Sequence, residues 1–136
     1  MYNRMKIVIL DALTYGDTSL AGFETLGDVT IYQTTSAEET CERVKEAEVI
    51  VTNKVVINDA VMEAAPSLKL ICVAATGTNN IDHDAAARRA IAVKNVAGYS
   101  TDAVVQHTFS MLFYLMGHSR YYDEYVKNGS WQKEED

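Results

Sequence analysis

The chain has 136 residues, 48% of them hydrophobic, and a formal net charge of −7. This length and composition are typical of one globular domain with a sizeable core. The acidic balance, without a clustered basic face, argues against nucleic acid as a partner. The uncharged stretch 103–119 is too short to cross a bilayer comfortably, so no membrane association is predicted.

Two cysteines, Cys41 and Cys72, form neither a disulfide framework nor a metal-ligand spacing. Both thiols are predicted to be free, as in a reducing compartment. The basic start of the chain is followed by an apolar run of only about five residues, which is too short for a secretory leader. We therefore expect a cytoplasmic protein without a metal site.

The first predicted strand is the β-branched run MKIVIL at 5–10, which ends at Asp11 and should be covered on both faces. Cap residues at 17–19 then predict a helix that Gly27 terminates. The apolar positions of this helix are Leu20, Phe23 and Leu26.

The same alternation continues through the next two units. A second strand is predicted at 29–32, and Ser36 with Glu39 forms a capping box for the following helix. The third strand is EVIVT at 48–52, after which Asn58 caps a short helix.

The fourth strand is predicted at 68–75, followed by a glycine turn, a helix at 82–90 and a fifth strand at 92–95. Strands that alternate with helices through short connections predict right-handed crossovers and a parallel sheet. We expect an α/β fold with a five-stranded, flavodoxin-like sheet of order 2-1-3-4-5. A long, largely apolar helix, capped by Ser100 or Thr101, should follow over 101–120.

Two strand ends and one helix start should converge on one rim of this sheet, where ligands collect in parallel folds. The turn at 76–78 can offer backbone N–H groups to an anion, and Lys54 should lie on the same rim. Spacing alone equally allows an ordinary turn and a solvated lysine. Asp82 and Asp84 resemble a carboxylate pair, but helix capping explains them more simply.

The remaining polar residues assemble no catalytic set. His107 lies one turn into the last helix, where a histidine usually packs, and His83 and His118 have no base or nucleophile nearby. Ser100 and Thr101 form a helix cap that could also suit a cofactor. No glycine-rich dinucleotide or P-loop fingerprint is present.

The segment at 68–115, LKLICVAATGTNNIDHDAAARRAIAVKNVAGYSTDAVVQHTFSMLFYL, closely resembles the NAD-dependent D-2-hydroxyacid dehydrogenase family, especially its glycerate dehydrogenase (hydroxypyruvate reductase) branch. ILDALTYG and VTNKVVI earlier in the chain also resemble that branch. The resemblance implies a substrate domain at 1–99, a helix at 100–128 that would begin a coenzyme domain, and a tail at 129–136. The Rossmann NAD-binding domain and the catalytic residues of relatives have no counterpart in this sequence.

The resemblance also implies site residues. Positions that in relatives hold the 2-oxo acid carboxylate, largely through main-chain N–H groups, correspond to Lys54, Val55, Ala75, Thr76, Gly77 and Thr78. Positions that touch the nicotinamide end of the cofactor correspond to Ser100, Thr101 and Val104. Gln106 and His107 are interpreted as a packing and hydrogen-bonding pair.

Three functions stay open at this point. The first is the substrate portion of an NAD-dependent enzyme that reduces a small 2-oxo acid such as hydroxypyruvate, with this chain alone inactive and binding NAD weakly. The second is a stand-alone flavodoxin-like module that binds a small anion. The third is a fragment that pairs with full-length subunits. In each case the apolar helix at 101–120 predicts homo-oligomers, because exposed apolar patches drive association.

Overall fold

The structure is a computed structural model that describes residues 4–133. The chain divides between Ala97 and Gly98 into two compact units. The first contains the five-stranded β-sheet, and the secondary structure described for the second, up to residue 133, is helical. Of the tail predicted at 129–136, residues Ser130–Gln132 form a short 3₁₀ helix, and 134–136 lie outside the described residues.

Five parallel strands form one sheet in the order β2-β1-β3-β4-β5, which confirms the predicted topology. Their bounds are β1 Met5–Ile9, β2 Gly27–Ile31, β3 Val49–Thr52, β4 Leu70–Val73 and β5 Ala92–Asn95. Because all five strands run in the same direction, their carboxyl ends share one edge of the sheet.

Three short helices connect the strands of this unit: α1 Ala37–Arg43, α2 Asp59–Glu63 and α3 His83–Arg88. Each begins at the cap that the sequence predicts. The Ser36 N–H donates to the Glu39 carboxylate at 3.0 Å in the capping box. The side chains of Asn58 and Asp82 accept first-turn N–H groups at 3.1 Å and 2.8 Å.

The sheet is covered on both faces. Ile7 and Ile9 pack on one side, while Val8 and Leu10 belong to a larger cluster on the other side. All four residues of β3 are buried. A central strand that is buried on both faces needs no polar alternation, which is why these strands read as continuous apolar runs in the sequence.

The connection from β1 to β2 differs from the prediction. Instead of one α-helix, two 3₁₀ helices span Ala12–Tyr15 and Ala21–Thr25. The threefold spacing of Leu20 and Phe23 fits the three residues per turn of a 3₁₀ helix, and both side chains pack against the sheet. Gly27 does not terminate a helix, because it is the first residue of β2.

The second unit contains α4 Thr101–Met116 and α5 Ser119–Lys127. The prediction of one continuous helix over 101–120 is therefore wrong. His118 adopts a φ of 48°, and a residue in the left-handed region ends an α-helix, so a second helix begins after it. No residue of α4 is buried.

Both cysteines are free thiols, as predicted. Burial raises the pKa of the Cys72 thiol, which disfavours its reactive thiolate form. Within residues 4–133, no group of histidine, cysteine and acidic side chains is arranged to hold a metal ion. None of the described helices has the length and apolar character that a bilayer span requires.

Candidate functional site

A cavity lies at the carboxyl edge of the sheet, where the loops that follow β3 and β4 face each other. Its volume is about 230 Å³, and its lining residues are Asn53, Lys54, Ala75, Gly77, Asn79 and Asn80. The lining contains one cationic side chain and three carboxamides, and it has no acidic residue. Lys54 and Gly77, which the sequence predicts to share one rim, thus line the same cavity.

The turn after β4 has unpaired backbone N–H groups next to this cavity, and Gly77 is one of the lining residues. Among the described residues, the amides of Gly77 and Thr78 have no hydrogen-bond acceptor. A β carbon built at Gly77 would meet nothing within 4 Å, so no clash within the chain requires glycine there. The missing side chain instead leaves the adjacent N–H groups open. Unpaired amides near a lysine can bind an anion.

The end of β5 holds this turn from one side. The Asn95 side chain donates to the Thr76 carbonyl at 2.7 Å, and the Val96 N–H donates to the Ala75 carbonyl at 3.1 Å. The Thr76 hydroxyl returns a bond to the Val96 carbonyl at 3.4 Å. The first half of the turn is therefore fixed to the neighbouring strand.

Asn80 links the turn to the loop after β3. Its side chain donates to the Val55 carbonyl at 2.9 Å, and its own carbonyl accepts the Ile57 N–H at 2.8 Å. An isolated parallel bridge between Ile57 and Ile81 extends this link. The two walls of the cavity are thus connected by hydrogen bonds as well as by the sheet beneath them.

The loop after β3 directs its amides away from any ligand and towards Asp11. The N–H groups of Lys54 and Val55 donate to the Asp11 carboxylate at 2.6 Å and 3.3 Å. The main-chain N–H groups that the resemblance assigns to the substrate at these two positions are therefore already paired. The side chain of Lys54 is exposed and makes no ion pair with any described residue. It is therefore the part of Lys54 that could contact a ligand in the cavity.

The histidines differ in part from the sequence prediction. His83 was expected to lack a partner, but its Nε2 lies 2.8 Å from the Thr78 hydroxyl, so it ties α3 to the cavity turn. Gln106 and His107 have exposed side chains on α4, and their interpretation as a packing pair stays a prediction. Asp82 acts as a helix cap, as expected.

The three residues assigned to the cofactor lie at the start of α4. Ser100 occupies the N-cap position, and its carbonyl accepts the Val104 N–H at 2.9 Å. Thr101 is the first helical residue and donates its N–H to the Gly98 carbonyl at 3.3 Å. A helix N-terminus with two neighbouring hydroxyls is chemically suited to a polar cofactor group.

Sequence reasoning gave no role to three residues that organise the cavity, namely Asp11, Asn80 and Asn95. Each carries a short polar side chain; Asp11 and Asn95 lie at or near the carboxyl end of a strand, and Asn80 lies in the loop between β4 and α3. That pattern is a usable signal, because such side chains face the loops at the sheet edge. It does not reveal which loop a side chain will bind.

Residues 7–131 match the family described as D-isomer specific 2-hydroxyacid dehydrogenase, catalytic domain. The chain is 34% identical over 137 residues to a hydroxypyruvate reductase of Blautia hydrogenotrophica, covering 97% of this chain and 42% of the relative. It is 34% identical over 129 residues to a glycerate dehydrogenase of Methylorubrum extorquens, covering 94% of this chain and 41% of the relative. The chain thus spans about two fifths of the length of these relatives.

Solved structures show the same relationship. An acyclic imino acid reductase in complex with NADPH and D-Arg superposes with a TM-score of 0.77 at 25% identity, over 92% of this chain and 41% of that chain. A protein from Pyrococcus horikoshii OT3 superposes with a TM-score of 0.72 at 28% identity, over 94% of this chain and 38% of that chain. The resemblance found in the sequence is therefore confirmed, and the chain belongs to the D-isomer specific 2-hydroxyacid dehydrogenase family, of which it represents part of the catalytic domain.

Proposed function

We propose that the chain forms the substrate-binding portion of an NAD-dependent enzyme that reduces a small 2-oxo acid, such as hydroxypyruvate, to the D-2-hydroxy acid. The observation that carries this proposal is the pair of neighbouring unpaired amides at Gly77 and Thr78, of which Gly77 lines, together with Lys54, a cavity without acidic residues. The names of two relatives, hydroxypyruvate reductase and glycerate dehydrogenase, support this choice of substrate. The cavity is smaller than the ~300–1,000 Å³ typical of drug-sized ligands, which favours a small acid.

In this proposal the chain contributes orientation and charge. The Gly77 and Thr78 N–H groups bind the substrate carboxylate, and the Lys54 ammonium group attracts it into the cavity. The hydrogen bonds from Asn95 and Asn80 keep the amides at a fixed position. A carboxylate held in this way points the 2-oxo group in one direction, which is the entropic advantage of a positioned reactant.

NADH supplies the hydride when it is bound. Ser100, Thr101 and Val104 would contact the nicotinamide end of the cofactor from the start of α4. No glycine-rich phosphate-binding turn occurs in the sequence, so we expect weak cofactor binding. The cavity lining contains no histidine or carboxylate to serve as an acid. We therefore propose that this chain alone does not catalyse the reaction, and that it acts in a cytoplasmic protein.

The test is an NMR titration of the purified chain with hydroxypyruvate and with dihydroxyacetone, in which a hydroxymethyl group replaces the carboxylate. We expect hydroxypyruvate to shift the amide signals of Gly77, Thr78 and Asn79 with a Kd of about 1 mM. Dihydroxyacetone should shift none of them. NADH absorbance in the same samples should stay constant.

Matched lysine variants complete this experiment. Lys54→Met should raise the Kd for hydroxypyruvate about threefold to fivefold, because an exposed charge contributes up to ~1 kcal/mol. Lys45→Met should leave the Kd unchanged, since Lys45 pairs with Glu42 and does not line the cavity. Shifts confined to other parts of the sheet, or equal binding of both ligands, would reject the proposed function.

Replacing Gly77 by alanine separates binding from stability. The added methyl group meets nothing within 4 Å, and the residue does not have a positive φ, so the free energy of unfolding should change by less than about 1 kcal/mol. The methyl group would occupy space through which a carboxylate approaches the turn, and the Kd for hydroxypyruvate should rise at least about tenfold. Urea unfolding and the same titration measure the two effects. An unchanged Kd would remove Gly77 from the site.

A stand-alone anion-binding module is the second candidate function. One observation favours it: every residue that lines the cavity belongs to the first unit, so the described pocket needs no further domain. Both candidates predict carboxylate binding. They differ in selectivity, because a module for small anions should bind acetate as tightly as hydroxypyruvate, whereas the substrate portion of an enzyme should prefer the 2-oxo acid.

A further inference from the structure

Asp11 carries a buried carboxylate that no described basic side chain neutralises. It lies two residues after the end of β1 and is 5% exposed. Three consecutive backbone amides donate to it: Asn53 at 3.0 Å to both oxygens, Lys54 at 2.6 Å and Val55 at 3.3 Å. The Thr52 hydroxyl, itself fully buried, adds a fourth donor at 3.3 Å. A buried carboxylate is tolerated only when donors surround it in this way.

Tyr15 completes this environment. Its hydroxyl donates at 3.3 Å to Oδ1 of Asp11, whereas the Lys54 and Val55 amides donate to Oδ2. Burial, followed by the nearby Asp11 charge, raises the pKa of Tyr15, which keeps the phenol protonated as a donor. The carboxylate thus has an N–H or O–H donor on each oxygen.

The donors that face Asp11 form a common kind of anion site. Successive backbone N–H groups that converge on one point create a concave nest for anions such as carboxylate or phosphate. Here the protein fills the nest with its own Asp11 side chain, which comes from the loop after β1. The loop at 53–55 is therefore shaped around an internal anion, and its amides are withdrawn from competition for an external one.

The same contact determines where Lys54 and Asn80 lie. The Lys54 amide makes the shortest of the three bonds, so the backbone from which its side chain enters the cavity is fixed. The Val55 carbonyl, one residue further, accepts the Asn80 side chain at 2.9 Å. Asn80 belongs to the opposite wall of the cavity, so the position of that wall depends on the loop that Asp11 holds.

We propose that Asp11 is the positioning residue of the cavity: its carboxylate fills the 53–55 amide nest and, through Lys54 and Asn80, sets the geometry in which Gly77 and Thr78 bind an external carboxylate. The inference rests on the proposed function for the identity of that external ligand. The protection of the 53–55 amides and the binding of a carboxylate at Gly77 and Thr78 are measured separately.

Hydrogen exchange of the unaltered chain tests the loop. The amides of Asn53 and Lys54 should be protected at least about a hundredfold more than the Gly77 and Thr78 amides, although all four lie in loops. Equal and rapid exchange at the four positions would overturn the inference. This measurement requires no ligand and no variant, so its outcome is independent of the proposed function.

Replacement of the carboxylate tests the positioning role. Asp11→Ala should remove the protection at 53–55 and weaken hydroxypyruvate binding at Gly77 about tenfold or more. Formate, which can enter the emptied nest, should restore both. A residue with a merely structural role would not give rescue by a small carboxylate. Asp17→Ala removes an exposed carboxylate from the same connection and should change neither quantity.

Asp11→Asn covers the case in which the alanine variant does not fold. It keeps the shape of the side chain but turns an NH₂ group towards N–H donors, so protection and binding should fall while the circular dichroism spectrum stays native. Full protection in a folded Asp11→Asn chain, or folded Asp11→Ala that formate does not rescue, would overturn the proposal. If the unaltered chain shows protected 53–55 amides but no hydroxypyruvate shifts, the proposed function fails and the role of Asp11 in the loop stands.

Discussion

Gly27→Ala is expected to lower the free energy of unfolding by about 3 kcal/mol, the largest effect on stability that we predict for a single methyl group in this chain. Gly27 pairs with Met5 at the start of the β1–β2 ladder. A β carbon at Gly27 would overlap the Met5 carbonyl oxygen and lie 3.1 Å from Ile7 Cδ1. Because the overlapping atom is backbone, relief requires the two strands to separate at their first pair.

Urea unfolding followed by circular dichroism measures this loss, with Gly22→Ala as the matched control. Gly22 lies in the 3₁₀ helix five residues earlier, and a β carbon there would meet nothing within 4 Å. The control should unfold within about 0.5 kcal/mol of the unaltered chain. Equal midpoints for the two variants would show that β2 can shift at little cost and would contradict the expectation.

The strand order could be predicted because the sequence signal for it is local and repeated. The central strands are short runs rich in β-branched residues, as in VIVT of β3, and the α-helices that follow β2, β3 and β4 each begin at a recognisable cap. Short connections between such elements permit few topologies, since crossovers in parallel sheets are right-handed. The same logic placed Lys54 and Gly77 on one rim, because parallel strands end at a common edge.

The connection from β1 to β2 could not be predicted, because the spacing of its apolar residues does not distinguish an α-helix from a 3₁₀ helix. Leu20, Phe23 and Leu26 repeat every three residues, which suits one face of either an α-helix or a 3₁₀ helix. In the structure only the first two pack, partly buried, against the sheet, and Leu26 is 65% exposed. The sequence predicts that Gly27 terminates a helix. In the structure glycine is needed at this position because the backbone of the neighbouring strand leaves no room for a β carbon.

Asp11 shows why the site was predicted only in part. Its position just after the first strand follows from the sequence, but the three backbone amides that donate to it are 42 to 44 residues away. Whether a strand-end carboxylate faces solvent, a ligand or a neighbouring loop depends on the conformation of that loop. Residue spacing does not encode that conformation, so the amides of Lys54 and Val55 were assigned to the substrate.

The helix α4 leads to the second large prediction, which concerns association. Asp102 is its only Asp, Glu, Lys or Arg residue, and several of its large apolar residues are more than half exposed: Val104, Phe109, Met111, Phe113, Leu115 and Met116. A helix that is apolar on all sides is normally buried against protein on more than one side. A second copy of the chain is the one partner always present in a purified sample, so we propose that α4 mediates homodimerisation.

Phe109 and Phe113 are the residues to change, because both are exposed and the centroids of their rings lie 6.2 Å apart on one face of α4. Phe109→Glu combined with Phe113→Glu should weaken self-association at least about a hundredfold, since each buried aromatic contributes ~1.5–3 kcal/mol. Sedimentation velocity over a concentration series measures the change. Leu26→Glu introduces the same charge at an exposed residue of the first unit and should leave the dimer intact. A monomeric unaltered chain would overturn the proposed homodimer, whereas dissociation by Leu26→Glu would place the interface on the sheet unit instead.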